Sequence, residues 1–134
     1  MNKSVFAKII DREIPAEIVW ENDKFIMILD INPIARGHAL LIPKVQVDKF
    51  YDLDDETYSE LFRLTKLFAK KMEKTFKCVR TGIIIEGFGV PHVHVHLIPL
   101  DHGGIIETGH KYQPKEGEFK EVGDLMRKSF VNIY

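Results

Sequence analysis

Three of the six histidines in this 134-residue chain lie at every second position of the segment VPHVHVHLIPL, residues 90–100. Side chains of a β-strand alternate between its two faces, so His92, His94 and His96 are expected together on one face, with the aliphatic side chains between them on the other. A strand rises about 3.3 Å per residue, which places neighbouring imidazoles roughly 6.6 Å apart along it. The pattern predicts a strand with one face in the core and the other available for chemistry.

Three interpretations of these histidines are open. They could be ordinary core or surface residues, although a buried imidazole needs a hydrogen-bond partner and folding does not require three in register. They could bind a metal ion through a His-x-His pair, with His38 and Asp30 as candidate further ligands. They could also perform covalent and acid–base catalysis, because a neutral imidazole attacks phosphorus or an acyl carbon while its neighbours set its tautomer and supply a proton.

The elements that would position this strand are predicted from hydrophobic periodicity and capping residues. A short helix follows Ser4. A hairpin comes next, with a first strand that ends at about Trp20 and a second strand that ends at Leu29, and HALLIP forms a third strand. Asp54 caps a long amphipathic helix, and a final helix runs from about Lys115 to Ser129. TGIIIE and HVHVHLIP are predicted as the fourth and fifth strands, antiparallel neighbours because only GFGVP joins them. Without βαβ alternation, the fold class is predicted as α+β around a five-stranded antiparallel sheet.

Composition limits the possible partners and locations. The length is that of one domain over residues 1–134, and 45% of residues are hydrophobic. The net charge of -1 gives no electrostatic reason to expect nucleic acid or an anionic membrane as a partner. The single cysteine, Cys78, cannot form an internal disulfide, and we find neither a signal-peptide pattern nor an apolar run long enough to span a membrane. We expect a soluble, cytoplasmic protein.

HVHVHLI has the His-φ-His-φ-His-φ-φ pattern, where φ is hydrophobic, and resembles the signature of the histidine triad (HIT) family. The segment from FAKIIDREIP to HALLIPK is similar to the nucleoside-phosphoramidase branch of that family, and the resemblance covers residues 4–100. It implies an α+β domain whose five-stranded sheet pairs with that of a second subunit into ten strands. It also implies cleavage of the bond between the α-phosphorus of a purine nucleoside monophosphate and a leaving group, an amine in the phosphoramidases.

The same resemblance assigns roles to residues. His94 would attack phosphorus and form a nucleotidyl-histidine intermediate, which water then hydrolyses. His92 and His96 would orient the nucleophile and contact the phosphoryl oxygens, and His38 would be the fourth active-site histidine. Asp30 would accept hydrogen bonds from the ribose hydroxyls. The base would lie against an apolar wall, with Phe6 as its stacking face; the residues of this wall are Val5, Phe6, Ile9, Ile28 and Ile31.

Two departures from the family pattern affect the site. Some bacterial relatives hold zinc with Cys-x-x-Cys near the start, a histidine after IPK and a triad-region histidine, and the corresponding positions here are Ser4, Ala7 and Gln46. We therefore expect no metal and no cofactor. Glu86 and Phe88 stand near the positions of an asparagine and a glutamine in typical members. We expect Glu86 to point out of the site, and the backbone N–H groups of Gly89 and Val90 to replace the missing amides.

The sequence thus predicts a homodimeric nucleotide hydrolase or transferase of the phosphoramidase type, whose ligand is a nucleoside monophosphate or its phosphoramidate. The alternative from another class is a nucleotide-binding or scaffold protein with little or no turnover, which the departures at Glu86 and Phe88 keep open.

Overall fold

A computed structural model of the chain describes residues 2–134. The strands and helices follow one another in the order predicted from the sequence. They are α1 (Val5–Ile10), β1 (Ile18–Glu21), β2 (Phe25–Leu29), β3 (Ala39–Pro43), α2 (Asp55–Phe76), β4 (Arg80–Ile84), β5 (Val95–Leu100) and α3 (Glu118–Ser129). Among the described residues, no helix combines the length and the apolar character needed to cross a membrane.

The five strands form a single antiparallel sheet in the order β1-β2-β3-β5-β4. This confirms the predicted fold class, including the antiparallel pairing of β4 with β5. The triad strand β5 lies inside the sheet, between β3 and β4, while β1 and β4 form its two edges. An internal strand is bonded on both sides, so the residues at its start are held more rigidly than those of an edge strand.

Each face of the sheet has its own apolar cluster. The larger cluster lies under α2 and α3 and includes Val93, Val95 and Leu97, the residues that alternate with the histidines. The smaller cluster lies under α1 and includes Phe6 and Ile28. His96 pairs with Leu40, a member of the smaller cluster, and therefore lies on the α1 face. The predicted division of the histidine segment between two faces is confirmed.

The triad strand begins later than predicted, at Val95, so His92 and His94 lie in the extended segment that precedes it. The register that pairs Leu41 with Val95 would bring Pro43 opposite Val93. Proline has no N–H with which to continue the ladder, and Val93 instead donates its N–H to the carbonyl of Val47. The sheet therefore ends where the first two histidines begin.

The two capped helices begin where the sequence predicts, and the last helix begins later. Ser4 and Asp54 are the N-caps of α1 and α2, and their side chains accept hydrogen bonds from the backbone N–H groups of Ala7 and Thr57. The last helix, α3, starts at Glu118 instead of about residue 115. Gly117 precedes it with φ at +79°, a left-handed conformation that a continuing α-helix cannot include.

Candidate active site

Four imidazoles and one phenyl ring form a continuous row on the α1 face of the sheet. The ring centroid of Phe6 lies 6.0 Å from that of His92 and 4.8 Å from that of His94. The row continues from His94 to His96 and from His96 to His38, with 5.1 Å between centroids in both cases. The structure thus brings together the three histidines of the motif and the fourth histidine from the loop before β3.

His92 is fully buried, and both of its ring nitrogens have hydrogen-bond partners. Nε2 lies 2.7 Å from the carbonyl oxygen of Pro43, and Nδ1 lies 2.7 Å from the hydroxyl oxygen of Ser4. A carbonyl oxygen can only accept, so Nε2 carries the proton and Nδ1 accepts from the serine hydroxyl. Burial lowers the pKa of His92, which favours this neutral form.

His94 has the opposite tautomer. Its Nδ1 lies 2.7 Å from the backbone carbonyl oxygen of His92 and must donate to it. In the neutral ring, Nε2 therefore keeps its lone pair, which is the requirement for an attacking imidazole. His94 lines a cleft of about 230 Å³ whose wall also includes Tyr51, Glu86 and Phe88. The lone pair on Nε2 of His94 could attack a ligand, and the neighbouring cleft offers room for one.

His38 and His96 form a donor–acceptor pair. The backbone N–H of Ile34 donates to Nδ1 of His38 at 3.1 Å, so Nε2 of His38 carries the proton. That nitrogen lies 2.9 Å from Nδ1 of His96, which accepts from it and leaves the proton of a neutral His96 on its own Nε2. Burial lowers the pKa of His38, and the carboxylate of Asp30 partly opposes this effect. Burial and the nearby His94 also lower the pKa of His96.

Asp30, His38 and His96 offer three ligand atoms within 4.8 Å of one another, the geometry of a possible cation site. The hydrogen bonds of His38 do not fit this use. Its Nδ1 accepts from a backbone N–H, so its Nε2 carries a proton and has no lone pair for a metal. Coordination through Nε2 would require a proton on Nδ1 and the loss of the Ile34 hydrogen bond.

Asp30, the residue predicted to contact the ribose, follows β2 and has neighbours of two kinds, a backbone N–H group and two imidazoles. Its Oδ1 accepts the backbone N–H of Asn32 at 2.9 Å, which makes a local turn. Its Oδ2 lies 3.4 Å from Nε2 of His38 and 3.8 Å from Nδ1 of His96. The carboxylate is therefore both a turn residue and part of the histidine row, and its contact with a ribose stays a prediction.

The five residues predicted to surround the base do not share one environment. Ile9 and Ile28 are 7% and 3% exposed and pack in the smaller apolar cluster, so they act mainly as core. Phe6 belongs to the same cluster and is also 7% exposed, with its ring against the histidines, whereas Val5 and Ile31 are exposed. Val5 and Ile31 therefore remain the candidates for direct contact with a base, and the stacking role of Phe6 stays a prediction.

The loop between β4 and β5 borders the cleft beside His94. Phe88 is 91% exposed, and Gly87 has φ at +86°, which favours glycine there. Glu86 is exposed, but it lines the same cleft as His94, and its charge acts to raise the pKa of His96. A short connection to β5 holds Glu86 at this cleft, and the expectation that its side chain points out of the site stays a prediction.

The same loop contains the two residues predicted to offer backbone N–H groups to a phosphate. The backbone hydrogen bonds among residues 2–134 use the carbonyl of Val90, as acceptor from the N–H of His92, and leave the N–H groups of Gly89 and Val90 available. Gly89 is exposed, and a Cβ at this position would meet no atom within 4 Å. The role of these N–H groups stays a prediction.

Sequence reasoning missed the partners of His92. The carbonyl of Pro43 and the hydroxyl of Ser4 are supplied by β3 and by the N-cap of α1, far from His92 along the chain. From the sequence, Ser4 is recognisable only as a helix cap and as a position where the family resemblance places a cysteine in some relatives. Those two signals together point to a residue that faces the triad, but only the packing of α1 on the sheet reveals the contact.

Comparison with known proteins places this geometry in a family. The family model described as "HIT domain" matches residues 11–103. The chain is 35% identical over 132 residues to the protein named adenosine 5'-monophosphoramidase HNT1 of Saccharomyces cerevisiae, covering 96% of this chain and 82% of that protein. Among solved structures, a HIT-like protein of Bartonella henselae superposes with a TM-score of 0.82 at 30% identity, covering 96% of this chain and 98% of the other.

A second similar structure is described as a zinc-bound histidine triad family protein of Mycobacterium smegmatis, with a TM-score of 0.80, 27% identity and coverage of 96% and 94% of the two chains. The residues that the family resemblance relates to zinc ligands do not fit the ion here. Ser4 and Gln46 offer a neutral hydroxyl and an amide, Ala7 offers no ligand, and Nδ1 of His92 already accepts from Ser4. Structural zinc sites are built from thiolates and imidazoles with available lone pairs.

Proposed function

The chain belongs to the HIT domain family, and from that premise we propose that it is a nucleotide hydrolase that releases a nucleoside monophosphate from a phosphoramidate. The family and a relative named adenosine 5'-monophosphoramidase support a nucleotide hydrolase in general terms. The specific reaction, cleavage of the bond between the α-phosphorus and an amine, is the finer part of the proposal. A purine nucleoside is its expected substrate moiety.

The single observation that carries the proposal is the hydrogen bond between Nδ1 of His94 and the carbonyl of His92, which leaves a lone pair on Nε2 of the neutral ring. In the first step, the Nε2 lone pair forms a bond to phosphorus while the bond from phosphorus to nitrogen breaks, and the leaving amine takes a proton. In the second step, water attacks the same phosphorus and gives a proton to the group that protonated the amine, the bond between phosphorus and Nε2 breaks, and the nucleoside monophosphate leaves.

The other imidazoles supply hydrogen bonds and a proton. His96 accepts from His38 at Nδ1, so the proton on its Nε2 is available to a phosphoryl oxygen or to the leaving amine. The lowered pKa values of His38 and His96 keep this pair neutral at pH 7 and preserve the direction of its hydrogen bonds. In this proposal Asp30 accepts from the ribose, and the available N–H groups of Gly89 and Val90 donate to phosphoryl oxygens.

A non-catalytic nucleotide-binding protein is the second candidate, and Glu86 is the observation that favours it. This carboxylate lines the cleft beside His94, where it would repel the negative charge of a phosphoryl group. Repulsion in the ground state lowers affinity, and repulsion of the developing charge in the transition state lowers the rate. Turnover measurements separate the two candidates.

The decisive experiment compares wild-type protein with His94→Ala on adenosine 5'-monophosphoramidate. We expect wild type to release AMP and ammonia, and the variant to lose several powers of ten in kcat because the covalent route is absent. Calorimetry should show that the variant still binds AMP, since Asp30 and Phe6 remain. A wild-type reaction quenched early should carry a nucleotide adduct on the peptide that contains HVHVH.

His102→Ala is the matched control. His102 is an exposed histidine outside the row, and its loss should leave kcat unchanged. Turnover by His94→Ala at a rate close to that of wild type would reject His94 as the nucleophile. Binding of AMP without any turnover by wild type would instead support the non-catalytic candidate.

We also propose that the protein acts as a homodimer in the cytoplasm. Strand β4 is an edge of the sheet, and Ile83 on it is 40% exposed. Val79, just before β4, and Leu67 on α2 are exposed as well, at 64% and 37%. An unpaired edge bordered by exposed aliphatic side chains is suited to pairing with the same edge of a second copy. The single free cysteine fits a reducing compartment.

A further inference from the structure

We infer that Ser4 is a positioning residue of the active site: its hydroxyl donates to Nδ1 of His92, stabilises the Nε2–H tautomer that the Pro43 carbonyl selects, and thereby holds the carbonyl group that orients His94. The catalytic consequence rests on the proposed function. The hydrogen-bond assignment itself does not depend on turnover.

The first step of the argument is the direction of each hydrogen bond around Ser4. Its side chain is buried, and Oγ accepts the backbone N–H of Ala7 at 2.9 Å. Oγ lies 2.7 Å from Nδ1 of His92, whose Nε2 must donate to the carbonyl oxygen of Pro43. In the neutral ring Nδ1 can only accept, so the serine hydroxyl donates to it. For the neutral ring, only one arrangement of protons satisfies all three contacts.

The second step connects His92 to the nucleophile. The ring of His92 is held at one nitrogen by α1, through Ser4, and at the other by the end of β3, through Pro43. The backbone carbonyl of the same residue accepts Nδ1–H of His94 at 2.7 Å. A ring held at both ends limits the rotation of the backbone to which it is attached, and so fixes the carbonyl that selects the tautomer of His94.

The third step explains how Ser4 is itself held. Its backbone N–H donates to Oε1 of Gln46 at 3.0 Å, and Nε2 of Gln46 donates to the carbonyl of Asn2 at 2.8 Å. Residues 4, 7 and 46, which the family resemblance relates to zinc ligands, are thus joined to one another and to His92 by hydrogen bonds between neutral groups. In this chain these bonds fasten the first helix to the triad.

Loss of the hydroxyl has a specific cost. Among the described residues, no buried side-chain nitrogen or oxygen lacks a hydrogen-bond partner. Ser4→Ala would leave Nδ1 of His92 buried without a donor, which favours rotation of the ring or exchange of its tautomer. The effect should appear in kcat more than in AMP binding, since the substitution alters the orientation of the nucleophile.

Three substitutions separate positioning from simple helix capping. Ser4→Thr keeps the hydroxyl and should stay near the wild-type kcat. Ser4→Ala removes both the cap and the donor. Ser4→Asp keeps a good cap, because its carboxylate accepts from the N–H of Ala7. The carboxylate cannot donate, however, so it places an acceptor opposite Nδ1 of His92, which needs a donor. We expect kcat on adenosine 5'-monophosphoramidate to fall about 10-fold for both Ala and Asp, with a Kd for AMP within about 2-fold of wild type.

Asp54→Ala is the control for loss of a cap. Asp54 caps α2 through Thr57 and is remote from the histidine row in its contacts, so its loss should lower stability without changing kcat. A second readout is the imidazole tautomer, measured by long-range ¹H–¹⁵N correlation spectra. His92 should be the Nε2–H form in wild type and Ser4→Thr, and should gain a proton on Nδ1 in Ser4→Asp.

The outcomes are distinct. A wild-type kcat and an unchanged His92 tautomer in Ser4→Asp would overturn the inference, whether or not Ser4→Ala folds. If wild type has no turnover but the tautomer depends on residue 4 as expected, the proposed function fails while the assignment of Ser4 stands.

Discussion

Three imidazoles of the row take their tautomers from a backbone group that can only donate or only accept, and His96 takes its tautomer from His38. The carbonyls of Pro43 and His92 accept from His92 and His94, and the backbone N–H of Ile34 donates to His38. Backbone groups do not titrate, so these assignments persist as long as the rings stay neutral. The chemistry of the row is therefore set mainly by main-chain atoms around it.

Neutral burial of these rings predicts a stability that depends on pH. The pKa values of His38, His92 and His96 are lowered, chiefly by burial, below the ordinary value of about 6.5. Between that value and the lower folded values, the unfolded chain binds more protons than the folded protein. Stability is therefore expected to fall as pH drops from 7 through 6 towards 4, because acid favours the unfolded state in this window.

Urea unfolding at a series of pH values measures this effect. His38→Gln removes one buried titrating group while keeping an amide donor and an acceptor, and it should reduce the slope of unfolding free energy against pH. His102→Ala, at an exposed histidine, should leave the slope unchanged. A stability in wild type that stays level or rises from pH 7 to pH 5 would contradict neutral burial of the row.

Secondary-structure elements position the row through their ends more than through their middles. His92 and His94 lie just before β5, Asp30 lies just after β2, and His38 lies just before β3. Pro43, at the end of β3, stops the ladder and turns a carbonyl to His92. Side chains at such ends can leave the regular spacing of a strand, which is how the row closes to ring distances of about 5 Å.

Gly37→Ala tests one of these ends, the turn that delivers His38. Gly37 has φ at +88°, and a Cβ there would lie 2.5 Å from the ring of Phe76 in the last turn of α2. An alanine must adopt a disfavoured backbone conformation and displace that ring, so we expect a loss of about 2 kcal/mol or more in unfolding free energy. Urea denaturation at pH 7 measures it.

Gly103→Ala is the matched control, because a Cβ at that glycine meets nothing within 4 Å and its φ is not positive. It should change the unfolding free energy by less than about 0.5 kcal/mol. Equal losses in the two variants would show that Gly37 is not under the proposed constraint.

The helices cover the two faces of the sheet unequally. The α2 and α3 helices cover one face with the larger cluster, and α1 covers the other beside the histidines. The β4 edge, by contrast, is unpaired among the described residues and borders exposed aliphatic side chains. An exposed edge of this kind needs protection or a partner, which is the physical basis for the proposed dimer.

Ile83→Lys tests that proposal. A charge at the middle of the β4 edge should prevent burial of this edge against a second copy, so a wild-type dimer should become a monomer. Light scattering coupled to size exclusion measures the mass at micromolar concentration. Val131→Lys, which adds the same charge at an exposed residue after α3, should remain dimeric. A wild-type monomer under these conditions would reject the dimer.

Periodicity, caps and turn residues were enough to obtain the order of elements and the fold class. Ser4 and Asp54 cap their helices as expected because a cap depends on residues only three positions away. The division of the HVHVH segment into a core face and a histidine face follows from strand geometry, which is equally local. The element boundaries that failed, at the start of β5 and of α3, depend on the partner strand and on a single backbone conformation.

The site could be predicted only in part from the sequence, because several of its contacts join residues that lie far apart along the chain. Residue types and spacing identify the four histidines and Asp30 as candidates. The tautomers of the histidines depend on contacts with Pro43, Ile34 and Ser4, which approach them only in the folded protein. Glu86 lines the cleft beside His94, a placement that only the fold shows, because the short β4–β5 connection holds it there. Local patterns specify which groups are present, and tertiary packing decides which nitrogen carries each proton.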